Sequence, residues 1–108
     1  MNVEKLVSKF KNAIQKQDLS FDMCCYVYDQ STEDKYNITE VIKTDTALQI
    51  YYADDWGVEQ CTIDDMWVNL CTVDDTLSVQ FIERDTGIAK SCVMVDDCLE
   101  TSIDFNVE

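Results

Sequence analysis

Residues 51–75 read YYADDWGVEQCTIDDMWVNLCTVDD, and within them Asp pairs recur after apolar, strand-forming residues. Asp54 and Asp55 follow YYA, Asp64 and Asp65 follow CTI, and Asp74 and Asp75 follow CTV; a fourth pair, Asp96 and Asp97, follows VMV. Asp is disfavoured inside strands and favoured in turns, where its carboxylate accepts hydrogen bonds from nearby backbone N–H groups. The stretch therefore reads as short strands punctuated by acidic turns. Any one pair is accounted for by turn chemistry alone. Four pairs in a chain with two Gly and no Pro imply a use for carboxylate beyond turning.

Working outward from this stretch, the chain opens with a helix over residues 2–17. Val3, Leu6, Val7, Phe10, Ala13 and Ile14 follow the spacing of one helical face, and four lysines occupy the rest. Asn2 suits the N-cap, Glu4 the first turn and Lys16 the last. From Leu19 the period becomes two: Phe21, Met23, Cys25 and Val27 alternate with Asp22, Cys24, Tyr26 and Tyr28. The polar run 29–35 is a hairpin loop, followed by strands over 36–43 and 47–53.

Residues 54–57 form the next turn, with Gly57 expected at positive φ. Residues 58–63 are expected as a strand, and 66–72 read equally as strand or short helix. Residues 76–83 and 88–95 form a hairpin through Arg84, Asp85, Thr86 and Gly87. The last segment alternates Leu99, Thr101, Ile103, Phe105 and Val107 with Glu100, Ser102, Asp104, Asn106 and Glu108. No connection after the first helix has the length of a crossover, so the strands should pair antiparallel. The expected fold is one α+β domain over 1–108: an amphipathic helix (1–17) packed on an antiparallel meander (19–108) of roughly six to eight strands. Outward carboxylates at Glu100 and Asp104, on alternate strand positions, would form a row of anions on a stiff support.

The chain carries 22 acidic and 8 basic side chains, a formal net charge of −14. That exceeds the magnitude of about 2–8 that keeps a small domain soluble, and self-repulsion opposes folding. Residues 1–16 hold four lysines against Glu4, a net of +3, which leaves −17 on residues 17–108. Such a body repels nucleic acid and anionic membranes and attracts basic surfaces at rates that fall with salt. The lysines of the first helix read as its solvated face.

Six cysteines occur, at 24, 25, 61, 71, 92 and 98, with no CxxC spacing and no His. No leader with an apolar core precedes the domain and no run has the length of a membrane span, so reduced thiols in a cytoplasmic protein are the expectation. Without His, the familiar general base is missing, and no phosphate loop, GxSxG or HExxH occurs. The Asp pairs lack the spacing of a calcium loop. No catalytic residue, cofactor or metal site is expected.

What remains is binding. Asp54, Asp55, Asp64, Asp65, Asp74, Asp75, Asp96, Asp97, Glu100 and Asp104 are the candidate contacts, with Trp56 as an exposed aromatic anchor, since interface hot spots are rich in Trp and Tyr. The partner would be a basic, nucleic-acid-binding protein such as a nuclease, whose Lys and Arg normally neutralise phosphates. In its size, its lack of His and Pro, its Asp pairs and its −14 charge, the chain resembles the small acidic inhibitors of phages and mobile elements, the DNA-mimicking anti-CRISPR and anti-restriction proteins. The resemblance implies a stoichiometric inhibitor that covers the DNA-binding or PAM-reading surface of an RNA-guided nuclease in a bacterial cytoplasm. The basic first helix departs from that pattern. An immunity protein for a toxin nuclease would share the same chemistry, and an interaction module with acidity for solubility only would scatter its Asp pairs. The chemistry leaves the oligomeric state open.

Overall fold

The computed structural model describes residues 1–98 and 102–108. It is an α+β fold in which helix α1 (Val3–Gln17) precedes strands β1 (Cys24–Asp29), β2 (Asp34–Lys43) and β3 (Ala47–Ala53). Helix α2 (Ile63–Cys71) then leads to β4 (Ser78–Glu83), β5 (Ala89–Lys90), β6 (Cys92–Cys98) and β7 (Ser102–Val107). Helix α1 starts and stops as its sequence dictates. The Asn2 side chain accepts the Lys5 N–H at 2.9 Å, and Asp18 takes the left-handed conformation (φ 51°) that closes the C-terminus.

The seven strands form one sheet in the order β5-β4-β3-β2-β1-β7-β6. It is mixed, which corrects the antiparallel expectation: β1 pairs parallel with β7, and β3 parallel with β4. For β3 and β4 the physical reason is α2, which lies between them in the chain. Residues 63–71 turn helical because Thr62 caps them, and Ile63, Met66 and Leu70 then share one buried face. The connection from β3 to β4 is thereby a crossover, and the strand expected over 58–63 is replaced by loop and helix. Gly57 is also not at positive φ; the glycine that requires it is Gly87 (φ 73°), in the turn between β4 and β5.

Only Ser91 separates β5 from β6. Phe81 and Ile82 of β4 pair with Lys90 and Ala89; Ser91 exchanges backbone hydrogen bonds with Glu108 at 3.3 and 3.2 Å; and β6 continues along β7. One extended segment thus engages both outer strands, and the sheet curls into a nearly closed barrel. Its concave side holds Val3, Leu6, Phe10 and Ala13 of α1, the apolar face of α2, and the inward residues of the strands. Aromatic rings run through this core. Phe10 stacks on Phe105 at 5.6 Å and on Trp67 at 6.2 Å, while Phe81 meets Phe105 at 5.4 Å.

At the end of β1 the alternation that puts Cys25 and Val27 inward puts Asp29 inward too, fully buried. Asp29 pairs with Lys90 of β5, and its carboxylate also accepts the Ser31 N–H (2.9 Å), the Ser31 hydroxyl (2.6 Å) and the Tyr52 hydroxyl (3.3 Å). Burial pushes the Asp29 pKa up, but hydrogen bonds from Lys90 and Ser31 outweigh it and hold the carboxyl below its ordinary value. The same burial, with the Asp29 charge alongside, raises the Tyr52 phenol.

Lys90→Met leaves Asp29 ionised without its ammonium, so urea unfolding near pH 7 should show a loss of about 3 kcal/mol. Because the folded-state carboxyl titrates below its unfolded value of about 3.9, the pair's stabilisation is present above that value and is lost as pH falls through the lowered folded one. The gap between wild type and variant should therefore narrow below about pH 4; a gap that stays constant across pH would show that Lys90 acts through packing alone.

Candidate partner-binding surface

Residues 54–62 leave β3 and run over the outer side of β1 and β2. Trp56 settles on Tyr26 with ring centroids 5.7 Å apart, the Asn37 amide donates to the Asp55 carbonyl at 3.1 Å, and the Cys24 thiol donates to Gln60 at 3.1 Å. Trp56 keeps 47% of its surface exposed, and its indole N–H donates to Asp54 at 2.8 Å. The Asp54 carboxylate and the ring are thus fixed together.

Register extends this surface sideways. Asn37, Tyr26, Asp104 and Asp96 stand directly opposite one another on β2, β1, β7 and β6, a row about 14 Å long at ~4.8 Å per strand. Asp96 is exposed. Asp104 is not, with 7% of its surface accessible. Lys35 lies 3.4 Å from its carboxylate and 5.0 Å from the Tyr26 ring centre. The expected solvated row on β7 is corrected accordingly: Ser102, Asp104 and Asn106 are all buried, β7 lying between β1 and β6 in the curled sheet, with Asp104 beside Tyr26 and against Lys35. Glu100 lies outside the described residues, as does the side chain of Asp97.

On the far side of Trp56 the row continues into a groove of about 210 Å³ lined by Thr39, Glu40, Glu59, Gln60, Asp65 and Asn69, among others. Below it the Cys61 thiol is pushed up to about 12 by burial and by the Asp65 charge. Asp54, Asp55, Trp56, Asp65, Asp96 and Asp104 therefore belong to one outer face, together with Glu40 and Glu59, which the sequence did not single out. Asp64, exposed, occupies the same first turn of α2 as Asp65.

Asp74 and Asp75 do not join them. They precede Ser78, which pairs with Ala47 at the start of β3, whereas Asp54 and Asp55 follow Ala53 at its end. Six steps of ~3.3 Å put the two pairs about 20 Å apart.

Several of these carboxylates have local work. Asp65 and Thr62 form a reciprocal capping box, each side chain accepting the other's N–H at 3.1 Å. Asp74 accepts the Thr76 N–H (2.8 Å) and hydroxyl (2.7 Å), which hold its pKa below the ordinary carboxylate value. Asp55 is held low by Arg84, 2.9 Å away, and by the Gly57 N–H. The buried Asp29–Lys90 cluster was missed as well, although continuing the period-two alternation by one step marks Asp29 as inward.

Among the described residues, no three His, Cys, Asp or Glu side chains are grouped so that they could hold a metal ion, and no helix is long and apolar enough to cross a membrane. No protein-family model matches the chain, and neither a curated protein nor a solved structure matches it.

Thr62→Ala removes the cap of a nine-residue helix, and chemical denaturation should register a loss of about 1 kcal/mol. An unchanged midpoint would mean that core packing alone sets the start of α2.

Proposed function

We propose that the protein is a non-catalytic acidic inhibitor that occupies the basic nucleic-acid-binding surface of a nuclease in a bacterial cytoplasm, in the manner of DNA-mimicking inhibitors of RNA-guided nucleases. One observation carries this reading: Glu40, Glu59 and Asp65 line one groove, Asp54 is fixed to the half-exposed Trp56 ring, and Asp96 stands in the same strand row as Tyr26, on which Trp56 packs. Most of these anions are held by strands or by a helix cap, so little side-chain entropy is lost when a partner's Lys and Arg meet them. Such a face replaces phosphates electrostatically without offering bases to read. Trp56 adds a half-exposed ring that a guanidinium can stack on.

A toxin nuclease presents the same kind of groove as an RNA-guided one, so an immunity role rests on the same face. The placement of Asp74 and Asp75 at the opposite end favours a second reading, an interaction module whose acidity is general.

The immobilised protein, exposed to lysate of its native host, should retain a nucleic-acid enzyme that is released by raised salt and displaced by added DNA or RNA. The variant Asp54→Asn/Trp56→Ala/Asp96→Asn should stay folded, with a melting temperature lowered only by the lost Trp56–Tyr26 contact, and retain about tenfold less of that enzyme. Equal retention by the variant, or a partner indifferent to salt and nucleic acid, would remove this face from the binding site.

A further inference from the structure

Among the described residues, three of the four basic side chains outside α1 have a carboxylate within ion-pair distance, Lys43 being the exception. Lys35 and Arg84 lie 3.4 and 2.9 Å from Asp104 and Asp55, and Lys90 pairs with Asp29. In contrast, among the described residues none of Lys5, Lys9, Lys11 and Lys16 of α1 has a carboxylate within ion-pair distance, in a chain with 22 acidic side chains. Lys5, Lys9 and Lys16 fall on one stripe of the helix, by the four- and seven-residue spacings that bring side chains above one another.

That stripe borders a groove of about 300 Å³ between α1 and β6, lined by Lys9, Asn12 and Lys16 on one wall and Met94, Val95 and Asp96 on the other. The register of β6 slips between Cys92 and Met94, and such a bulge re-aims side chains. Here it leaves two consecutive apolar residues in water, Val93 at 41% and Met94 at 48% exposure.

We propose that this groove docks an acidic peptide segment of a partner protein, with an apolar anchor against Met94 and carboxylates facing Lys9 and Lys16. Charge complementarity selects the occupant. A lipid bilayer or a nucleic-acid duplex would bring an extended anionic surface against a body of net −17, whereas a short segment stays within the Debye length, about 8 Å at physiological salt, of the lysine stripe. A second copy docked through α1 would set lysines against lysines. The α1–β6 groove meets the acidic face at Asp96, which lines its β6 wall, so its preference for anions rests on Lys9 and Lys16 opposite, and that preference stands whether or not the acidic face binds a nuclease.

The probe is a short fluorescein-labelled peptide of alternating Glu and Leu blocks, compared by anisotropy with its Glu→Gln counterpart. The Glu peptide should bind wild type, weaken with salt, and bind Lys9→Glu/Lys16→Glu and Met94→Ser each about tenfold less tightly. Lys9→Gln/Lys16→Gln, which adds no negative charge to the helix, should fall between. Equal binding of the Gln peptide, or undiminished binding by the lysine variants, overturns the proposal. So does capture of phosphatidylserine vesicles, or self-association in sedimentation that the lysine variants abolish, without peptide binding.

Discussion

An open sheet ends in two rows of unpaired backbone N–H and C=O groups, and the shape of this protein follows from how it deals with them. The single segment formed by β5, Ser91 and β6 pairs with β4 at its start and with β7 along the rest. Two strands that would otherwise be outermost become interior, and the sheet must curl to let one segment reach both. The buried Asp29–Lys90 pair stands where that closure is made, linking β1 to β5 across the end of the barrel. An ion pair in such a place contributes little net stability over apolar residues of equal size, yet either partner alone is costly. Its consequence is selectivity: only the arrangement that brings β5 over β1 satisfies both charges.

Curling also decides which carboxylates can meet a partner. Along β7 every residue is buried, so an alternating strand with an acidic outer face presents no acid to solvent from Asp104. Exposed charge is displaced to the rim of that face, to the loop that carries Trp56 and to the first turn of α2. The repeated Asp pairs are thus not equivalent. Asp65 and Asp74 hold a helix start and a turn, Asp55 answers Arg84, and Asp54 and Asp96 remain as outward charge.

The acidic row and the lysine stripe of α1 meet at Asp96, which stands opposite Asp104 and also lines the groove beside Lys9 and Lys16. Lys35, Lys90 and Arg84 offset the charges of Asp104, Asp29 and Asp55. Helix α1 carries Lys5, Lys9 and Lys16 on one exposed stripe, with Lys9 and Lys16 beside the strand whose bulge exposes Val93 and Met94, while Lys11 lies on another side near Phe21 and Trp67.

Local chemistry made α1 legible from its first residue to its last, because a cap, a 3.6-residue period and a lysine face all act within one segment. Strands β2 and β3 and the Gly87 turn were legible for the same reason, and β1 from Cys24 onward. Phe21 and Asp22, expected within that strand, lie in a turn with Phe21 exposed, and the expected loop 29–35 shortens because Asp29 ends β1 and Asp34 begins β2. The helix at residues 63–71 was not, because its apolar positions are few and fit either period; the capping box of Thr62 and Asp65 resolves the choice only when the chain is already turned. Parallel pairing of β1 with β7 joins residues nearly eighty apart, and no local pattern encodes such a contact. The sequence by itself determined the charge, its split between helix and body, and the acid and aromatic groups available to a partner. Tertiary structure decided which of those acids share a face, because exposure of Asp54 and Asp96 and burial of Asp104 depend on strand register and barrel closure, which are properties of the assembled sheet.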